Sequence, residues 1–196
     1  FIMSTLETNL VQPATGTSLT LGASGDTITI PSGATIANSG TATGFGENMT
    51  PGFHAFLSAD QGSLSDAATV KMQVNSETYD SGTVYDNSSN YRFTPGVAGK
   101  YFIYGAVLMS SAATANLREA EVYIYKNGSV IGKTSFNYVD QYSQSATPML
   151  NIVDVANTTD YYELYAQLNT QNSGNWKAVG DSTQQRTYFG AYRIIT

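Results

Sequence analysis

REAEVYIYKNGSVI, residues 118–131, decides the fold class. From Arg118 to Lys126, Ala120, Val122 and Ile124 alternate with Glu119, Glu121, Tyr123 and Tyr125. That two-residue period puts aliphatic side chains on one face of a strand and polar or aromatic ones on the other. Asn127-Gly128 follows, the dipeptide that best tolerates the left-handed angles of a two-residue hairpin turn, and Val130 and Ile131 start the return strand.

Outward from this hairpin the same grammar recurs. FHAFLS from Phe53 opens a strand, and VKMQV from Val70 sets Val70, Met72 and Val74 against Lys71 and Gln73. Asp80, Ser81 and Gly82 read as a turn. Tyr91 to Phe93 is halted by Thr94-Pro95-Gly96, and Lys100 to Met109 is the longest apolar run. Met149 to Val155, Tyr161 to Leu168 and Tyr188 to Ile195 complete a set of at least eight strands with no helical period. Short strands with regular turns predict an all-β protein, a β-sandwich or jelly roll.

A run of small and turn residues at 39–52, SGTATGFGENMTPG, marks a junction, so residues 1–46 are expected to form one unit and 47–196 another. Upstream, TSLTLGASGDTITIPSGATIANSG (17–40) pairs Leu19 with Leu21 and Ile28 with Ile30, then adds Ile36, with a glycine-bearing turn between sets. The first 46 residues carry two charged side chains, Glu7 and Asp26. These pairs predict short strands forming the rungs of a thin stalk or anchor. One chain has nothing wide enough to cover them, so burial within it could not offset the entropy of ordering the backbone. Either the rest of the protein folds over the segment or identical segments share its rungs.

Composition narrows the function classes. Charged residues make up only 12% of 196, but 41% hydrophobic content with 14 Tyr and 8 Phe is enough to build a core. Net charge is -6 with the basic residues scattered singly, which gives no footprint for a phosphate backbone and argues against a nucleic-acid partner. Without cysteine there are no disulfides, thiolate ligands or Cys nucleophiles. No apolar run reaches membrane-spanning length, so membrane insertion is not expected. MSTLETNL from Met3 reads as a natural start without an export signal, with Phe1-Ile2 as an extraneous pair. Such a product is expected to be an unexported, cytosolic one.

Catalytic material is thin. His54 is the single imidazole, too few for a triad or a His metal cluster, and it is expected to be an ordinary strand side chain. Glu119 and Glu121 share a strand face, as the two carboxylates of a retaining glycosidase must, but a solvated face with Arg118 and Lys126 nearby is the plainer reading. Asp80 with Asp86, or Asp154 with Asp160, offers oxygen ligands without EF-hand spacing, and turn capping explains them. No enzyme activity, metal or cofactor is therefore expected. Binding has better material. The segment NTQNSGNWKAVGDSTQQR, Asn169 to Arg186, surrounds Trp176 with amides, hydroxyls and Asp181, a mix suited to stacking on a sugar and bonding its hydroxyls. The alternative is that Trp176 pins the loop or fills a subunit interface. Tyr138 and Tyr142 form a second aromatic pair.

YRFTPGVAGKYFIYGAV, Tyr91 to Val107, resembles the central motif of the globular heads of complement component 1q and its tumour-necrosis-factor relatives. An aromatic precedes a Pro-bearing turn, then Gly-x-Tyr-x-hydrophobic follows, with Phe93, Gly99, Tyr101 and Ile103 at the matching positions. The segment DYYELYAQL from Asp160 and the closing TYFGAYRI, with Phe189, Gly190 and Tyr192, fall in the family's order. The resemblance implies a jelly roll that assembles as a homotrimer. The N-terminal repeats separately resemble the start of structural proteins of marine tailed phages. Together the two imply a virion fibre: an anchor joined to other virion proteins, a thin trimeric stalk, and a head that contacts a host-surface glycan or decorates a capsid. A secreted lectin-like module with the same head is the competing expectation.

Overall fold

The structure is a computed structural model that describes residues 11–13, 15–37, 39, 49–113, 116–138 and 143–194. The chain divides into two units, Phe1–Phe45 and Gly46–Thr196.

Among the described residues of the first unit the glycine-bearing turns are present and no strand is formed. Ala23 to Asp26 and Pro31 to Ala34 are closed by backbone bonds of 3.0 and 3.1 Å, with Gly25 and Gly33 at φ of 94° and 86°. That third-position positive φ is the type II turn, which glycine adopts without strain. The Asp26 carboxylate also accepts the Ala23 amide at 2.7 Å. The described residues between these turns form no strand, and Leu19, Leu21, Ile28, Ile30 and Ile36 are all exposed. The absence in a single chain has a plain cause. A strand needs a neighbour for its N–H and C=O groups, and the turns alone bring none.

The second unit contains fifteen strands among the described residues: β1 (Gly52–Phe56), β2 (Gln61–Leu64), β3 (Val70–Lys71), β4 (Ser76–Ser81), β5 (Tyr85–Asp86), β6 (Arg92–Phe93), β7 (Gly99–Ala106), β8 (Met109–Ser111), β9 (Leu117–Lys126), β10 (Ser129–Asn137), β11 (Ser145–Ala146), β12 (Met149–Ala156), β13 (Tyr162–Thr170), β14 (Trp176–Ala178) and β15 (Tyr188–Arg193). A five-stranded sheet runs β12-β7-β15-β1-β4. A second sheet runs β10-β9-β13-β6-β5, with β3 also beside β13, and a small third sheet runs β11-β8-β14-β2. All pairings are antiparallel. The fold is all-β, as the periodicity predicts. Two elements differ: β4 runs through Asp80 and Ser81, displacing the turn to Gly82 and Thr83, and VKMQV pairs only at Val70 and Lys71 although Met72 and Val74 are buried.

Asn127 and Gly128 have φ of 51° and 81°, so the hairpin between β9 and β10 is the type I′ turn its dipeptide demands. Asp160 and Asp154 lie beside it, both holding the Lys126 ammonium, at 3.1 and 2.7 Å. The Asp160 carboxylate also accepts the Asn157 amide and the Asn127 side chain, which bring its pKa down to about 2. Asp80 accepts the Val84 and Tyr85 amides, and Asp86 accepts those of Ser88, Ser89 and Asn90. Each suggested calcium pair is thus engaged in turns or in a cation already present. No group of three or more metal-ligating side chains converges among the described residues.

The core is an aromatic stack between the sheets. The Phe53 ring lies 4.4 Å from Tyr85, 4.9 Å from Phe93 and 5.2 Å from Phe189, and Phe93 meets Tyr101 edge-on. Phe93, Tyr101, Ile103 and Phe189 of the recognised motif are fully buried here. Phe53 therefore ties β1 to strands of both large sheets, and Phe53→Ala is expected to lower unfolding free energy by about 3–5 kcal/mol, read from urea denaturation.

Candidate functional site

Sheet parity gives the five-stranded sheet two apolar faces. Inward go Phe53, Ala55, Tyr101, Ile103, Phe189 and Ala191, which pack in the core. Outward go the alternate residues, and register aligns them in rows across the strands. One row is Asn151, Tyr104, Gly190, His54 and Tyr79; the next is Val153, Phe102, Tyr192, Gly52 and Ser81. Strands that put large apolar residues at both parities belong to a sheet covered on both sides. Within this chain the outer face is only half-covered.

Gly190 organises the row. A Cβ built on it would lie 2.4 Å from the Tyr104 ring, so that ring lies across the bare glycine. The Tyr104 hydroxyl thereby reaches His54 Nδ1 at 3.1 Å, and the two rings stack 5.9 Å apart. Tyr188 flanks the imidazole at 5.6 Å. Phe102 and Tyr192 extend the carpet at 5.4 Å. Burial pushes the Tyr104 hydroxyl up to about 12 and lowers the His54 imidazole, opposed by its bond to Gln185. Around His54 the face is amphipathic, with rings for contact and hydroxyls at the tips, and the exposed Lys100 stands at the far end of β7 opposite Val155.

The carpet continues onto an edge. Met149, Val153 and Val155 on β12 project on the outer side and are 60%, 61% and 62% exposed. Beyond that edge, β10 leaves Val130, Ile131 and Phe136 exposed. An apolar area that joins a face to an edge marks an interaction surface on a soluble domain.

The expected glycan-binding residues fall elsewhere. Trp176 is 2% exposed and its indole N–H donates to the Ser65 carbonyl at 2.9 Å. It lies on β14, where alternation turns Trp176 and Ala178 inward and leaves Lys177 outside. The anticipated display of this ring is therefore corrected to a core position, the alternative that it pins its segment. Asp181 shapes the loop before β15, accepting the Thr183 and Gln184 amides at 2.8 and 2.9 Å. Those amides hold its pKa below the ordinary value. Tyr138 packs against the core and Tyr142 lies outside the described residues. The structure does not bring Trp176, Asp181 and Tyr138 into one displayed site. What remains open near Trp176 is a cleft of about 440 Å³ lined by Ser63, Ser110, Ser111, Gln144, Asn175 and Lys177.

The two glutamates are likewise engaged. Glu121 is buried, a cost that raises its pKa, but the Lys133 ammonium and Tyr123 hydroxyl outweigh it and hold the carboxyl ionised. The Glu119 carboxyl is raised by burial and by the neighbouring Glu121 charge. A retaining glycosidase needs roughly 5–5.5 Å between its carboxyls. Glu121 is committed to Lys133 and Tyr123, so the pair does not stand as two free carboxyls.

Two solved structures share this architecture. The Eiger TNF of S. frugiperda matches with a TM-score of 0.51 and 7% identity over 73% of this chain and 91% of that one. This is a jelly roll of the tumour-necrosis-factor type. Murine APRIL, solved at pH 5.0, matches with a TM-score of 0.50 and 10% identity over 73% of this chain and 98% of that one. At such identities the likeness establishes the jelly roll and nothing further. No family model and no curated protein matches the chain.

The tyrosine, phenylalanine and histidine residues of the outer face escaped the sequence reading as a site. Their signal is in KYFIYGA and TYFGAYR, where aromatic or aliphatic residues fill both parities. Gly190→Ala is expected to drive Tyr104 off His54 and to cost about 1–3 kcal/mol, measurable as a lower denaturation midpoint with loss of the Tyr104–His54 coupling in NMR spectra.

Proposed function

We propose that this chain is a noncatalytic, homotrimeric structural component of a phage virion, a fibre whose jelly-roll head meets the host surface. One observation carries the trimer: the aromatic face on β7, β15 and β1 is continuous with the exposed Met149, Val153 and Val155 edge. Face and edge are different surfaces. Packing the edge of one copy onto the face of the next is a heterologous contact, which builds a ring wherever its rotation closes and never a two-fold pair. Three is the number the family resemblance implies. The exposed Leu19, Leu21, Ile28, Ile30 and Ile36, set between preformed turns, support the same conclusion for the N-terminal unit, since three copies would supply each other with the missing strand neighbours.

The N-terminal segment is the part assigned to other virion proteins, with the particle assembled in the host cytoplasm. The virion assignment itself rests on the likeness of the N-terminal repeats to phage structural proteins. A capsid-attached decoration protein would use the same parts, and a secreted lectin-like module would use the head alone.

The polar cleft beside Trp176 is the place proposed for a host glycan. Three serine hydroxyls, two side-chain amides and an ammonium line it, groups that match the alternating donors and acceptors of a sugar. Lys177 is steadied there by Asp60 at 2.6 Å.

Light scattering on the intact chain is expected to give three times 21.0 kDa, and Tyr104→Asp or Val153→Asp to give a folded single chain; a stable wild-type monomer overturns the assignment. Labelling of intact particles with an antibody to the head is expected to mark tail tips, whereas capsid labelling selects the decoration role. On a glycan array, Gln144→Ala with Asn175→Ala is expected to weaken any bound glycan about tenfold. Unchanged binding would remove the cleft.

A further inference from the structure

The trimeric reading leaves a chemical problem at the middle of the proposed contact. His54 is the only imidazole in the chain, and it stands on the face that the neighbouring copy would cover. An imidazole changes charge between pH 5 and 8, where no other unperturbed side chain does.

Every element around it supplies an uncharged partner. From β7 the Tyr104 hydroxyl faces Nδ1; from β15 come the Tyr188 ring and the bare Gly190. From β4 comes Tyr79, directly opposite His54 in the register, and Glu77 pairs with Ala55 one row away. The loop before β15 adds Gln185, whose Oε1 faces Nε2 at 3.3 Å, followed by Arg186. His54 forms no ion pair among the described residues: of the two nearby carboxylates, Asp181 caps its loop and is 3.8 Å from Arg186, and Glu77 is exposed, one row away and opposite Ala55.

The site is built rather than incidental. The β1–β4 register shifts between His54 and Ala55, leaving Thr78 as the extra residue of the bulge. Gln185 has a φ of 47°, uncommon for a residue with a side chain, and its amide donates to Thr78 Oγ1 at 3.2 Å while its carbonyl oxygen meets the imidazole. Asp181 holds the turn that carries Gln185, whose backbone N–H donates to the Asp181 carbonyl at 3.0 Å. This arrangement fits a neutral ring: Nε2–H donates to Gln185 and Nδ1 accepts from Tyr104.

We infer that His54 is an acid-sensitive latch on head assembly, holding the aromatic faces together when neutral and releasing them when protonated. The inference rests on the trimeric reading above. Covering the face strips water from the ring, and the one carboxylate of the covering β12 edge, Asp154, is already bonded to Lys126 and Tyr162, so a charge on the ring is left unpaired. Burial already lowers the proton affinity of His54 in the single chain, and a covering copy lowers it further. The sign follows. Separated heads bind the proton more readily than assembled ones, so assembly is complete above the ordinary imidazole range and weakens as pH falls through it. Each unit of difference in proton affinity makes a factor of about ten per subunit in the dissociation constant.

Sedimentation velocity of the full chain at pH 7.5 and 5.0 tests this, together with His54→Phe, His54→Gln and NMR titration of the single imidazole. The expected result is a wild-type trimer at pH 7.5 that dissociates at least about tenfold more readily at pH 5.0, with either variant abolishing the difference. The imidazole of the trimer is expected to titrate below the ordinary value. A trimer equally tight at both pH values overturns the latch and leaves the trimer standing, as does a pH effect that survives in a folded variant. A wild-type monomer at pH 7.5 overturns both.

Discussion

The second unit depends on one constraint: its five-stranded sheet carries large apolar residues on both faces. β15 lies between β7 and β1 and carries Phe189 and Ala191 toward the core, while Tyr188 and Tyr192 stand on the other side. The inner face is satisfied by the second sheet through the Phe53, Tyr85, Phe93 and Phe189 stack. The outer face has only its own rings to lie against. An aromatic surface of this kind gains by being covered, because each ring removed from water contributes in proportion to its apolar area. The contrast with the second sheet is instructive. Its outer side is neutralised internally, with Lys133 over Tyr123 and bonded to Glu121, and Lys71 bonded to Glu163 at 2.5 Å.

Gly190 shows how one missing side chain shapes a surface. Tyr104 folds over the space that a Cβ would fill and meets His54 across the intervening strand. The result links β7, β15 and β1 on their outer side with one ring. It also places the only titratable group of the neutral range among hydroxyls and amides. Asp181, first read as a ligand residue, takes part from a distance by shaping the loop that presents Gln185 to that ring.

Much of the fold was legible. The Asn127-Gly128 hairpin, the buried Ala120, Val122 and Ile124, and the motif from Phe93 to Ile103 follow from period, turn chemistry and resemblance. Among the described residues of the first unit the turns were legible and a single chain forms no strand, because a turn is decided locally while a strand needs a partner. The site was harder to see. Trp176, conspicuous as a lone indole among polar residues, proved to be core because three residues of its supposed loop pair as β14 between β8 and β2. Aromatic residues at outward parity in β7 and β15 looked like ordinary strand composition until register put them side by side.

The amino-acid order by itself determined which residues lie on the same side of each strand, where the chain turns, and which chemistries lack their groups: no thiol and a single imidazole. It did so because parity, turn angles and composition are properties of neighbours in the chain. Only the tertiary structure decided that Tyr104 lies over Gly190, that Glu121 meets Lys133, and that Trp176 is inside. These are questions of which strand lies beside which, and in what register. Contacts between strands distant in sequence answer them, and no local period encodes those contacts.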